Sequence, residues 1–255
     1  MEKLSDSNVK IFVSHRIDKD SYVLRNEIFY PIRSGAVFDT REQSELPGDD
    51  TGDNICEKNK TMCELTTMYW AWKNVEADYY GLCHYRRYMN FTGRKYEEDK
   101  WGSVCKSKLN DETVHEMKLD DVEQIKKYIQ RYDYIYCDWD VSKAGFKNIY
   151  EQFGGAEKQL NVKDLDVTID VCKEKYPSMS KYIEEYLQGT TFYPCLMFVM
   201  KKNIFDDMCK WMFDILFEVE KRIDVSDYTV EEKRIIGHIA ERLLGIYITY
   251  STFPA

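Results

Sequence analysis

Apolar positions along the chain repeat with two periods, and the switches between them divide it into strand-like and helix-like segments. Val9–Ser14 (VKIFVS) is a β-branched run that reads as a first, buried strand, with His15 and Arg16 at its end. Residues 17–34 read as helical or irregular, and Gly35–Asp39 (GAVFD) is a second strand candidate. The loop Ser44–Asn54 collects Pro47, Gly48, Asp49, Asp50, Gly52, Asp53 and Asn54, all turn formers. From Asn59 the helical period takes over: Met62, Leu65, Tyr69 and Trp72 fall on one stripe, widened by Trp70 and Ala71. Asp78–Arg87 (DYYGLCHYRR) then alternates as a strand. Tyr80, Leu82, His84 and Arg86 share one face, and Gly81, Cys83, Tyr85 and Arg87 the other.

Beyond this strand, residues 92–118 are polar and read as an excursion from the core. A helix is predicted over Leu119–Tyr132, a strand over Asp133–Cys137, and a mostly helical stretch over about 149–190, broken at Pro177. Phe192–Met200 (FYPCLMFVM) reads as another strand, Ile204–Ile223 as a long amphipathic helix, and about Val230–Ile246 as the last helix. Strands alternating with helices predict an α/β fold, with a central, mostly parallel sheet flanked by helices and a ligand site at its C-terminal edge. A single domain over residues 1–255 is expected, with 92–118 as an excursion and 149–190 as a helical insertion.

Composition narrows the classes of function. Against 36 Lys and Arg stand 45 Asp and Glu, a net charge of −9, so nucleic acid is not an expected partner and any phosphate must meet a local basic cluster. The 20 Tyr and 5 Trp supply rings that core packing or a carbohydrate site would use. No apolar stretch is long enough for a transmembrane helix, and MEKLSDSNVK lacks the apolar core of a signal peptide, so a cytoplasmic protein is expected. The 8 cysteines contain no C-x-x-C pair, which fits reduced thiols better than a zinc site or a disulfide framework.

Four constellations could carry chemistry. In Gly81–Tyr88 (GLCHYRRY), His84, Arg86 and Arg87 stand where an inner strand should end, and the planar donor fork of Arg suits phosphate oxygens. Solvated arginines paired with acids elsewhere are the plainer reading. In Gly48–Asn54 (GDDTGDN), followed by Asn59 and Glu64, the acids and amides can cap a helix or bond a sugar hydroxyl. Asp138-Trp139-Asp140 follows a strand as Mg- or Mn-binding triplets do in many nucleotide-sugar transferases. Glu241, beside Arg242 and off the apolar side formed by Ile235, Ile239, Leu243 and Ile246, is a candidate general base or half of an ordinary ion pair.

The run DDTGDNICEKNKTMCELTTMYWAWKN, followed by DYYGLCHYRRYM, resembles a bacterial family found among capsule and exopolysaccharide genes. FYPCLMFVMKK, CKWMFDILFEVEKRID and RIIGHIAERLL resemble the same family, so the similarity extends from His15 to Ile248. That family, long known as a domain of unknown function, is associated with glycosyltransferases, β-galactofuranosyltransferases among them. The resemblance implies a GT-A-like (Rossmann-like) fold and a nucleotide-sugar donor, UDP-hexose or UDP-galactofuranose, used without a required metal. It places His15 near the nucleotide and Asp53, Asn54, Asn59 and Glu64 around the donor. His84, Tyr85, Arg86 and Arg87 then stand where a metal-binding triplet usually sits, and Glu241 is the base.

It further implies an inverting hexosyltransferase acting on a lipid-linked oligosaccharide in capsule, exopolysaccharide or O-antigen synthesis, with peripheral association at the inner membrane face. Two positions depart from the family pattern. Leu196 follows Pro194-Cys195 where Asn is common, and Gly154–Gln159 lacks a His. These departures leave open altered specificity, or a non-catalytic nucleotide-sugar- or glycan-binding subunit of an assembly complex.

Overall fold

A computed structural model describes residues 7–41, 45–99, 102–156 and 160–252. In chain order the elements begin β1 (Val9–Arg16), β2 (Phe29–Ser34), α1 (Asn59–Met62), α2 (Leu65–Asn74), β3 (Tyr79–His84), α3 (Asp111–Glu116), α4 (Val122–Ile129) and β4 (Tyr134–Tyr136). They continue β5 (Trp139–Asp140), α5 (Ile149–Ala156), α6 (Val162–Lys175), α7 (Ser180–Gln188), β6 (Thr191–Phe192), β7 (Phe198–Lys201), α8 (Lys202–Arg222) and α9 (Ile235–Thr252). The chain forms two compact units. The first draws on Met1–Asn59, Glu64–Cys137 and Met197–Asp206, the second on Lys60–Cys63, Asp138–Leu196 and Asp207–Ala255.

The first unit is built on a mixed sheet of five strands in the order β2-β1-β3-β7-β4. β1 is parallel to both β2 and β3, while β7 runs antiparallel between β3 and β4. Four strands therefore point one way, as an α/β fold with a mostly parallel sheet requires. In register, Ser14 lies opposite both Ile32 and His84, and His15 opposite Arg33, so polar residues collect at the C-terminal ends of β2, β1 and β3.

The pattern reading misplaced the second strand. It lies at Phe29–Ser34, and GAVFD is instead a 3-10 turn over Ala36–Phe38. Pro31 obscured the strand, yet β2 is an edge strand, where a missing N–H costs no ladder bond. Gly35 ends it in the left-handed region at φ 75°, and a Cβ there would lie 2.5 Å from Asn59 Oδ1, so only glycine fits.

The helical stripe also shifts. Cys63 adopts φ 52° and breaks the segment into α1 and α2, so the phase set by Met62 does not carry across. α2 packs on β1 and β2 and buries Leu65, Met68, Trp70 and Ala71, while Tyr69 and Trp72 stay half-buried on its outer side. Trp70 meets Phe12 edge-on at 6.3 Å and stacks on Tyr30. Full burial of Leu65 or Met68 contributes about 1.5–3 kcal/mol each. On α8, Phe205 stacks 4.5 Å from Tyr80.

The second unit packs α5, α6, α7 and α9 together, with β5 paired antiparallel to β6. The predicted apolar side of the last helix is buried as expected, although regular α-helix begins only at Ile235. α7 meets α9 at Gly245, where a Cβ would fall 2.0 Å from the Tyr186 ring. FYPCLMFVM is not one strand. It divides into β6, a turn over Pro194–Leu196 and β7, with Cys195 at φ 63° and Leu196 at φ 49°. Among the described residues no helix is long and apolar enough to cross a membrane.

Candidate functional site

β3 stops at His84, and the chain turns back at once. His84 and Arg87 exchange backbone hydrogen bonds of 3.1 and 3.2 Å, and Tyr85 N–H donates to Ser14 O at 3.0 Å. This tight turn overrides strand alternation, so Arg86 does not share the face of His84. Arg86 and Arg87 are both exposed at the turn. Arg86 lies 5.5 Å from the Tyr85 ring centroid, and neither guanidinium hydrogen-bonds or ion-pairs with any described residue. The plainer reading, arginines tied to acids elsewhere, is therefore not what the turn presents.

His15 ends the neighbouring strand, and its ring centroid lies 6.3 Å from that of Tyr85. It is 2% exposed, with Nδ1 2.9 Å from Ser21 Oγ and Nε2 buried without a partner. Burial holds its pKa down at about 4, so the ring is neutral near pH 7. His15 thus adds a neutral ring, not a second cation, beside the arginine turn.

His84 has an acidic neighbour. Its Nε2 lies 3.8 Å from Glu64 Oε1, and both side chains are mostly buried. Glu64 stands at the N-cap of α2, and its carbonyl accepts from Met68 N. Asn59 donates through Nδ2 to Ser34 Oγ and to Thr66 Oγ1, both at 2.9 Å. Of the predicted donor-pocket residues, Asn59, Glu64 and His84 thus belong to the polar end of the first unit's sheet.

Asp53 and Asn54 have local work. Asp53 accepts from Tyr69 Oη at 3.2 Å, and its backbone exchanges bonds with the Asn74 side chain. Asn54 closes a turn by accepting from Cys56 N. Asp49, grouped by the sequence with the other acids of the Gly48–Asn54 turn and not singled out, is the residue whose role was missed here. It is fully buried and accepts from Gly35 N, Ala36 N, Cys56 Sγ and Thr66 Oγ1. Burial, with this bond to Asp49, pushes the Cys56 thiol up to about 12. One buried carboxylate thereby ties the β2 end, the 46–56 loop and α2 into one frame.

In the second unit, Glu241 sits among donors. Its Oε1 accepts from Cys195 N–H at 2.7 Å, its Oε2 from Arg242 Nη1 at 2.9 Å, and His238 Nδ1 is 3.8 Å away. Burial alone would raise its pKa, but the His238 contact, the Arg242 charge and the Cys195 amide outweigh it and hold the carboxyl below its ordinary value. Arg242 is itself buried, donates to Gln152 Oε1 at 2.6 Å, and lies between the rings of Phe153 and Phe192 at 4.8 and 4.4 Å.

Glu241 therefore clamps a turn in which two consecutive non-glycine residues are left-handed, a conformation costing about 1–2 kcal/mol per residue. The Leu196 departure gains a physical reading from this. Left-handed backbone favours Asn, whereas the Leu196 side chain is fully buried. The exchange bears on how the turn is held.

Asp138 and Asp140 flank buried Trp139 on β5 and its preceding residue. Asp140 Oδ1 accepts from Ser142 N, and hydrogen bonds from Ser142, first its hydroxyl, lower the pKa of this cap. Among the described residues no three His, Cys, Asp or Glu side chains meet as a ready metal site. A Mg or Mn ion held here would rest on these two carboxylates and on ligand phosphates.

The frame has a counterpart of known architecture. The apo structure of WbbM, a bifunctional glycosyltransferase, is similar to this chain with a TM-score of 0.89 and 38% identity. The likeness covers 96% of this chain and 43% of that one, so this chain spans less than half of WbbM. Comparison with curated proteins gives no match. The model of the domain of unknown function DUF4422 matches residues 10–252. With nearly its whole length accounted for in this way, the chain belongs to the DUF4422 family.

Proposed function

We propose that this chain is a glycosyltransferase of bacterial polysaccharide assembly, taking a hexose from a nucleotide-sugar donor, UDP-linked, with inversion. Similarity to a bifunctional glycosyltransferase across 96% of the chain supports the class. The observation that carries the substrate reading is the arginine turn. Two exposed guanidiniums without acidic partners among the described residues stand at the C-terminal end of β3, where α/β sheets bind ligands. In a chain of net charge −9, such a turn is a local site for a diphosphate.

The acceptor, a hydroxyl of a lipid-linked oligosaccharide, attacks the anomeric carbon. A new C–O bond forms, the bond to the diphosphate oxygen breaks, and its electron pair leaves on the diphosphate. Arg86 and Arg87 face charge that grows in the transition state, and they lower the barrier by binding it more tightly than the ground state. The acceptor proton must pass to a base. Glu241 suits that role poorly, because a base works best with its pKa near the working pH, and Glu241 is held ionised with both oxygens engaged.

The test offers UDP-galactofuranose, UDP-galactose and UDP-glucose with lipid-linked acceptors and measures UDP release. Acceptor-dependent release from one donor is the expected result. UDP binding without release from any of them would make the chain a binding subunit instead.

A further inference from the structure

We infer that His84, oriented by Glu64, takes the proton of the acceptor hydroxyl in the proposed transfer; this rests on the transferase reading above. The first ground is geometric. His84 sets Nε2 3.8 Å from Glu64 Oε1, a separation that closes to a hydrogen bond with a small side-chain shift. Among the described residues His84 is the sole polar partner of that carboxylate. A nucleophile's base held by a third group is the arrangement that activates hydroxyls elsewhere in enzyme chemistry.

The second ground is position. His84 is the last residue of an inner strand and lies opposite Ser14 of β1, at the sheet end that also carries Ser34, Asn59 and Thr66. Backbone hydrogen bonds with Arg87 lock its main chain, so His84 and the arginine turn leave the strand from one fixed backbone. The side chains of His84 and Glu64 are 14% and 13% exposed, enough to reach a ligand and dry enough to strengthen the pair.

In the step, the acceptor O–H bond breaks as the new glycosidic bond forms. The proton goes to the imidazole, the Glu64 carboxylate steadies the imidazolium, and the diphosphate carries away the electron pair. Glu64 is the positioning residue of this pair, and His84 the proton acceptor.

The experiment compares His84→Gln, Glu64→Gln, the double variant and Glu64→Asp in the full chain. It reads kcat with the donor that wild type uses, UDP affinity by calorimetry, and thermal unfolding. General-base catalysis is worth about 10²–10⁴-fold, so each Gln variant should lose at least about a hundredfold in kcat. UDP affinity should stay within about threefold. The double variant should be no slower than His84→Gln, because the two groups act as one unit. Glu64→Asp should recover part of the rate and keeps the test readable if a Gln variant unfolds. Rates within about threefold of wild type, or a loss of UDP affinity parallel to the loss of kcat, would overturn the assignment, the second by making His84 a diphosphate contact. If wild type releases no UDP from any donor, the transferase reading itself fails, and that result appears before any variant is made.

Discussion

Glu64 and Glu241 are buried to nearly the same degree, with side chains 13% and 14% exposed, yet they stand in opposite environments. Glu241 meets a backbone N–H, a buried guanidinium and an imidazole. Glu64 meets one imidazole at 3.8 Å. Burial therefore does not distinguish a carboxylate with one loose neighbour from one clamped into the fold. What separates them is how many donors are committed to the charge before any ligand arrives.

The largest effect should fall on the Glu241 side. Arg242→Met leaves Glu241 in its buried setting without the guanidinium bonded to it, and removing one partner of such a pair costs about 3–5 kcal/mol. Urea unfolding should show a loss of that size. A loss below about 1 kcal/mol would erase the contrast between the two carboxylates.

Next comes the neutral ring of the first unit. The pKa of His15 falls from about 6.5 unfolded to about 4 folded. Between those values the unfolded chain binds the extra proton, so stability is full above about pH 6.5 and declines as pH falls toward 4. A shift of this size corresponds to about 3 kcal/mol when both values are passed. Unfolding at pH 7 and pH 4.5 should show wild type losing more stability than His15→Gln, and equal losses would refute the buried neutral state.

The arginine turn should respond in binding, not in folding. A hydrogen bond to a charged group contributes about 1.5–3 kcal/mol, so Arg86→Ala and Arg87→Ala should each weaken UDP by about 10- to 150-fold. Unfolding of either variant should stay within about 0.5 kcal/mol of wild type, since neither guanidinium hydrogen-bonds or ion-pairs with a described residue. Glu64→Gln should also be nearly silent in stability, with less than about 1 kcal/mol lost. The smallest effect concerns metal. If the arginine turn alone meets the diphosphate, EDTA leaves UDP release unchanged, whereas abolition would move the site to Asp138 and Asp140.

Much was legible in the chain itself. Strong periodicity located β1, β3, β4 and the buried side of α9, because each of these segments follows one period from end to end. The GLCHYRRY block announced a basic strand end by residue type alone. The failures share a cause, which is that local backbone exceptions reset the period. Pro31 masked an edge strand, Cys63 at positive φ rotated the α2 stripe, and Cys195 with Leu196 cut one apolar run into two strands. The left-handed geometry of Cys63, Cys195 and Leu196 costs energy locally and survives only where surrounding groups hold it.

The same division runs through the site. The sequence by itself determined the α/β class, the strand that presents His84 and the two arginines beyond it, because these follow from residues near one another in the chain. Only the tertiary structure decided which groups those residues meet. It paired His84 with Glu64, twenty residues earlier, left the arginines without an acidic partner among the described residues, and clamped Glu241 to a turn forty-six residues away. Periodicity reports which side of an element is buried. It carries no information on which partner waits there, and that partner sets whether a carboxylate is held fast or left able to act.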